Sequence, residues 1–195
     1  MIPLSIALII FSNPIISLLF GHGKYIDSVS YTSQLMKIYC IGIIGLSAYT
    51  IMVRALYAQK MVKQSAACAI ASLIINIALC FLLAKGVNLG LIGIALATSL
   101  TYTISFVITL LLMHFKIGDI GGSYIVRVVF KIVIACIPMA VFSHLTYQLV
   151  ARYSSILALM CCAAVGVVTY FCCLYALKVE EISMILQQIK KKALR

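Results

Sequence analysis

The sequence lacks tryptophan and contains only four acidic residues and three prolines among its 195 residues. Charged residues make up 10% of the chain, whereas soluble domains carry about 25%. Because a soluble domain needs a polar exterior, this shortage excludes a soluble enzyme and a charge-rich disordered chain. With 11 glycines and three prolines, the chain also cannot form a collagen-like fibre.

The sequence also lacks the residue spacings of metal, redox and catalytic sites. None of the eight cysteines forms a C-x-x-C pair, and all eight lie inside apolar runs. We interpret them as small apolar residues, which excludes a disulfide-stapled secreted module. The three histidines fall in separate regions without a ligand spacing, and no predicted span carries an acid. The sequence therefore predicts no catalytic group, no metal site and no cofactor.

Long apolar runs dominate what is present. Hydrophobic residues make up 65% of the chain, and the mean hydropathy is +1.19. A bilayer-spanning helix needs about 20 apolar residues, and a lone open strand cannot satisfy its backbone in lipid. We therefore predict an all-α, polytopic membrane protein. Its six transmembrane helices are predicted at residues 2–20, 38–57, 65–84, 89–113, 126–150 and 154–177.

The 15 Lys and Arg residues give a net charge of +11, which in a soluble protein would suggest nucleic-acid binding. In a chain of membrane spans, basic residues instead gather in cytoplasmic loops and meet anionic lipid headgroups, so no nucleic-acid partner is expected. If the six spans alternate in direction, Lys24, Lys37, Lys85 and Arg152 lie on one side. The other eleven, which lie on the opposite side, are Arg54, Lys60, Lys63, Lys116, Arg127, Lys131, Lys178, Lys190, Lys191, Lys192 and Arg195. The eleven-charge side, which includes both termini, is therefore predicted to be cytoplasmic.

The last segment, 179–195, is predicted to be a basic cytoplasmic tail. Apolar Ile182, Ile185, Leu186 and Ile189 recur at three- and four-residue steps, as on one face of a helix. Two interpretations stay open for this tail: a helix lying on anionic lipid, or a solvated end.

Several residues inside the spans invite a structural or a functional interpretation. Ala95, Ala97 and Ser99 suggest close helix packing, and Gly42 and Gly45 suggest close packing or local bending. Pro14 and Pro138 are predicted to kink their helices. Arg54, near the cytoplasmic end of the second span, either extends its guanidinium to the lipid headgroups or faces a cavity and meets a phosphate. Asn76 lies midway along the third span.

Three stretches resemble the MurJ (MviN) family of lipid II flippases. They are Asn13-Pro14-Ile15-Ile16-Ser17-Leu18-Leu19-Phe20-Gly21-His22-Gly23-Lys24-Tyr25; Tyr39-Cys40-Ile41-Gly42-Ile43-Ile44-Gly45-Leu46 leading to Ala55-Leu56-Tyr57-Ala58; and Asn76-Ile77-Ala78-Leu79 followed by Gly90-Leu91-Ile92-Gly93-Ile94-Ala95-Leu96-Ala97-Thr98-Ser99-Leu100. The last string is partly shared by related polysaccharide flippases and multidrug antiporters. The first stretch favours the MurJ family.

This resemblance implies that the chain corresponds to the last six of fourteen helices. Residues 1–113 would be four helices of the C-terminal lobe, and 126–178 two extra helices lining a groove for the lipid tail. The implied activity moves lipid II, an undecaprenyl-pyrophosphate-linked peptidoglycan precursor, across the bacterial cytoplasmic membrane by alternating access. It is transport, not enzymatic catalysis. Because one lobe cannot supply both gates, we expect this chain to be inactive without an N-terminal flippase half, which a separate chain could provide.

The sequence departs from the family pattern near the candidate substrate-binding residues Thr50, Arg54 and Asn76. The family often has a lysine where this sequence has Thr50, and a proline where it has Arg54. Since residues four apart share a helix face, Arg54 could replace the missing lysine. Two alternative functions stay open: a flippase for another polyprenyl-linked saccharide, and a membrane scaffold that transports nothing.

Overall fold

The structure is a computed structural model that describes residues 1–21, 28–118, 122–152 and 155–177. Within these ranges every regular element is helical, which confirms the predicted all-α fold. A π-helical segment, Leu82–Gly86, extends the fourth helix. The helices are α1 (Ile2–Ile10), α2 (Ser12–Phe20), α3 (Val29–Ala58), α4 (Val62–Phe81), α5 (Gly90–Ile117), α6 (Gly122–Val150) and α7 (Ser155–Ala176).

The described helices account for the predicted spans. Five of them, α3 to α7, are long and apolar enough to cross a bilayer, and α1 with α2 makes a sixth span if the bent pair is counted as one. The pair is bent by 63°, which confirms the kink predicted at Pro14. Proline offers no N–H to the carbonyl of Ile10 and its ring crowds that carbonyl, so the helix breaks at Phe11. The orientation of the termini stays a prediction, and the tail, 179–195, lies outside the described residues.

One boundary prediction was wrong. Helix α3 begins at Val29, whereas the sequence placed residues 29–37 in a connection. Hydropathy reports only the part of a helix that is apolar enough for lipid, so a polar extension of the same helix is missed. The hydroxyl of Ser33 in this extension donates to the carbonyl of Ser30, at 2.8 Å.

The described residues between 20 and 118 form one compact unit, in which α3 packs closely against α5. A Cβ atom added at Gly42 would lie 2.5 Å from Ser99 Oγ, and one at Gly45 would lie 2.9 Å from Thr103 Oγ1. The Ser99 hydroxyl donates across the contact to the carbonyl of Ile38, at 2.9 Å. The predicted close-packing role of the two glycines is thus confirmed. On α5, Ala95 and Ala97 are fully buried as expected.

Helix α4 packs against α5 with one face and exposes the other. Ser105 Oγ on α5 donates to Ser72 Oγ on α4, at 2.8 Å. From Ala66 to Phe81 every exposed residue of α4 is apolar, which suits contact with lipid acyl chains. The large side chains of this exposed apolar face are Ile70, Leu73, Ile74, Ile77 and Phe81.

The second compact unit combines Ile2–Leu19 with the described residues between 122 and 177, and its helices α1, α6 and α7 pack side by side. Helix α6 is continuous through Pro138. A Cβ atom at Gly166 on α7 would lie 2.8 Å from Ser143 Oγ on α6, and this hydroxyl is 3.4 Å from the carbonyl oxygen of Cys162. The predicted division into 1–113 and 126–178 follows a resemblance to a longer protein and stays a prediction.

Candidate functional site

An apolar groove lies in the second unit. Helices α1 and α7 both pack on α6 and leave the groove between them. A ring contact between Phe11 and Tyr147, with centroids 5.7 Å apart, holds the end of α1 against α6. The cavity has a volume of about 470 Å³, within the range of about 300–1,000 Å³ that is usual for small-molecule sites.

The walls of this groove carry no charged side chain. Helix α1 contributes Leu4 and Leu8, and α7 contributes Ala163 and Val167. The hydroxyl of Ser143 at the base is already hydrogen-bonded to the backbone of α7. A surface of this kind can hold a hydrocarbon chain, while any charged part of the same ligand must remain outside it.

Small residues on α7 create the space. Gly166 lets α7 approach α6 closely. Ala163, one turn before Gly166, leaves open space in the groove that a larger side chain would occupy. The sequence does not distinguish α1 as a wall of this site, because the apolar residues of α1 follow the same pattern as residues that simply face lipid. The small pair Ala163 and Gly166 was the available signal.

Two of the predicted site residues, Thr50 and Arg54, lie one turn apart on α3 in the first unit. Thr50 is half-buried, and its hydroxyl donates to the carbonyl of Leu46 at 2.7 Å. Arg54 is exposed, four residues before the end of the helix at Ala58. All four acidic residues fall outside the described ranges, so no described carboxylate neutralises Arg54. Its exposed position leaves the guanidinium free to meet a lipid headgroup or another phosphate group.

The third predicted residue, Asn76, is engaged in helix packing. Its Nδ2 atom donates to Thr101 Oγ1 on α5, at 3.2 Å, and its Oδ1 atom lies 3.8 Å from Cys80 Sγ. No hydrogen bond between described residues joins Asn76 to Thr50 or Arg54. The structure therefore places the three predicted residues in one unit without connecting Asn76 to the other two through hydrogen bonds.

The Asn76–Thr101 contact leads to a prediction about stability. In a double-mutant cycle of Asn76→Ala and Thr101→Val, we expect a coupling energy of about 0.6 kcal/mol, typical of interhelical hydrogen bonds in membranes. The expected coupling energy is small, because the hydroxyl of Thr101 keeps its own hydrogen bond to the carbonyl of Ala97, at 2.7 Å, when Asn76 is replaced. Reversible unfolding in mixed micelles, followed by circular dichroism, measures it. Strictly additive effects of the two changes would show that this hydrogen bond does not form.

Comparison with known proteins gives a consistent assignment. A family model described as "Lipid II flippase MurJ" matches residues 1–167. A probable lipid II flippase MurJ of Thermotoga maritima is 32% identical over 188 residues, which cover 96% of this chain and 37% of that protein. A probable lipid II flippase MurJ of Bdellovibrio bacteriovorus is 29% identical over 188 residues, covering 94% and 35%.

The chain thus spans just over a third of the length of these relatives. Its apolar helices and its bacterial relatives together identify a multi-pass protein of the bacterial inner membrane.

Proposed function

The chain belongs to the lipid II flippase MurJ family, and on that premise we propose that it forms the C-terminal part of such a flippase. The complete transporter moves the undecaprenyl-pyrophosphate-linked peptidoglycan precursor across the cytoplasmic membrane by alternating access. Transport of this kind needs a gate on each side of the substrate. A chain that spans about a third of its relatives' length therefore acts together with an N-terminal flippase portion, and it transports without catalysing a reaction.

The observation that carries this proposal is the uncharged groove between α1 and α7. A polyprenyl tail is a long hydrocarbon that has to travel beside the protein while its pyrophosphate crosses the bilayer. The leucines of α1 and the small residues of α7 give the tail an apolar surface without a charged side chain, so little desolvation cost opposes binding. Residues 126–178 would then act as the helix pair that holds the lipid tail.

The cationic part of the proposal concerns Arg54, with Thr50 one turn away and Asn76 deeper in the same unit as the other candidate substrate contacts. An exposed guanidinium without a described carboxylate beside it can bind a pyrophosphate through two parallel hydrogen bonds.

We expect Arg54→Gln to reduce rescue of cells depleted of their own lipid II flippase, when the chain is supplied with an N-terminal portion. Arg54→Lys should retain part of the rescue, because it keeps the charge but loses the two-pronged geometry. Lys63→Gln, which removes another exposed cation close in sequence, is the matched control. If Arg54→Gln rescues as well as Lys63→Gln, Arg54 serves only to reach the lipid headgroups.

Photo-crosslinking tests the groove directly. The chain in vesicles is exposed to a polyprenyl pyrophosphate that carries a photoreactive group in its tail, and the labelled residues are mapped by mass spectrometry. We expect labels at Ala163, Val167 and the facing leucines of α1, and competition by unlabelled lipid II.

A photoreactive phosphatidylcholine is the control, because it should label the exposed apolar face of α4 as readily as the groove. If the polyprenyl probe labels that α4 face and the groove equally, the groove does not bind the tail and this part of the proposal fails.

A further inference from the structure

A second groove lies in the first unit, where α4 turns into α5, and we propose that it binds one anionic phospholipid. The phosphate would meet the ammonium group of Lys85, and one acyl chain would lie along Ile77, Phe81 and Ile94. This inference does not rest on the flippase activity proposed above, because it concerns a different unit and a different class of lipid.

The groove combines an apolar wall with a single cation at its end. Its volume is about 370 Å³, and Asn76 lies at its inner end and Lys85 at its outer end. The side chains of Ile77 and Phe81 are 61% and 67% exposed, so hydrocarbon can reach them. Lys85 Nζ lies 5.1 Å from the centre of the Phe81 ring, a contact that holds the ammonium group above the apolar wall.

The charge pattern of the sequence indicates what Lys85 binds. It is the only charged residue between Lys63 and Lys116. The described residues include no carboxylate that could pair with it. A lone exposed ammonium group at the end of an apolar helix attracts an anion, and the anion that a membrane supplies at that level is a lipid phosphate.

The backbone fixes this end of the groove. The π-helical segment Leu82–Gly86 is closed by a hydrogen bond from Val87 N to Leu82 O, at 3.1 Å. Helix α5 presses against it, since a Cβ atom at Gly93 would lie 2.6 Å from Leu83 O. Helical segments of this kind are often found at functional sites. The ammonium group therefore extends from a turn whose position the packing determines.

The length of the groove favours a phospholipid over a polyprenyl lipid. Lys85 follows Asn76 by nine positions, which is about 13.5 Å along a helix. Half of a hydrocarbon core of about 30 Å is about 15 Å. The groove thus matches one acyl chain in one leaflet, with its headgroup beside Lys85.

The absence of tryptophan makes a clean test available. A Phe81→Trp variant of the full 195-residue chain is reconstituted in phosphatidylcholine vesicles that contain phosphatidylglycerol with brominated acyl chains, which quench tryptophan fluorescence. Brominated phosphatidylcholine serves as the reference lipid. Leu82→Trp is the matched control, because Leu82 has similar depth, is 57% exposed and does not line the groove.

In the Phe81→Trp variant we expect phosphatidylglycerol to be favoured over phosphatidylcholine about fivefold, the preference that one basic residue gives near a membrane surface. The Leu82→Trp variant should show a much smaller preference. Lys85→Gln in the Phe81→Trp background should abolish the preference, whereas Lys116→Gln should not change it.

Equal preference in the two tryptophan variants, or a preference that survives Lys85→Gln, would overturn the proposal. Displacement of the brominated lipid by a small excess of polyprenyl phosphate would also overturn it, since the groove would then take a polyprenyl chain.

Discussion

Replacing Gly42 by alanine is expected to lower the free energy of unfolding by about 1–3 kcal/mol, the usual cost of overpacking a tight contact. The added methyl group would lie 2.5 Å from Ser99 Oγ and 3.0 Å from Ser99 Cα. The serine side chain can rotate away, but the backbone atom can yield only if α3 and α5 separate. Their separation would also break the hydrogen bond from Ser99 Oγ to Ile38 O.

Unfolding in mixed micelles, followed by circular dichroism, measures this effect. Gly86→Ala is the matched control, because nothing lies within 4 Å of its added methyl group, and we expect no loss there. Adding Ser99→Gly to Gly42→Ala should restore part of the stability, since two of the three close contacts disappear. If Gly42→Ala and Gly86→Ala behave alike, α3 and α5 do not pack as described.

Replacing Ala163 by tryptophan is expected to abolish the contribution of the chain to lipid II transport. The indole would occupy the groove between α1 and α7, which has a volume of about 470 Å³ and is open at Ala163 because the residue there is small. The tail of the substrate would lose its apolar surface, although the helices themselves need not move, since Ala163 is exposed.

Growth of cells depleted of their own lipid II flippase measures the loss, with the chain supplied together with an N-terminal portion. Ala164→Trp is the matched control, because Ala164 is also exposed but does not line the groove. Immunoblotting of membranes confirms that both variants insert in equal amounts. Full rescue by Ala163→Trp would contradict a role of the groove in transport.

The spans and their close packing could be predicted from sequence because each depends on local composition. Apolar runs of about 20 residues have few alternatives to a transmembrane helix, and a proline such as Pro14 bends a helix wherever its missing N–H and its ring disturb the preceding turn. Gly42 and Gly45, as small residues within a span, predicted close packing or local bending, and both lie where α3 approaches α5 closely. The start of α3 was missed because its first turns are polar and leave no hydropathy signal.

The family resemblance implied a groove lined by residues 126–178, but the part of the groove wall that α1 forms could not be predicted, because an apolar side chain that lines a cavity looks the same in sequence as one that faces lipid. Leu4 on α1 and Val167 on α7 are far apart in the chain and become neighbours only through their shared packing on α6. The role of Asn76 was uncertain for a related reason. A polar residue within a span predicts a partner, but only the structure identifies that partner as Thr101.

Genetic complementation tests the central claim, that this chain is the C-terminal part of a lipid II flippase, most directly. Cells depleted of their own flippase receive the 195-residue chain alone, an N-terminal flippase portion alone, or both together. We predict rescue only by the combination, with membrane insertion of each part confirmed. Rescue by the chain alone would contradict the two-part account. Failure of the combination, with both parts inserted, would contradict the flippase assignment itself.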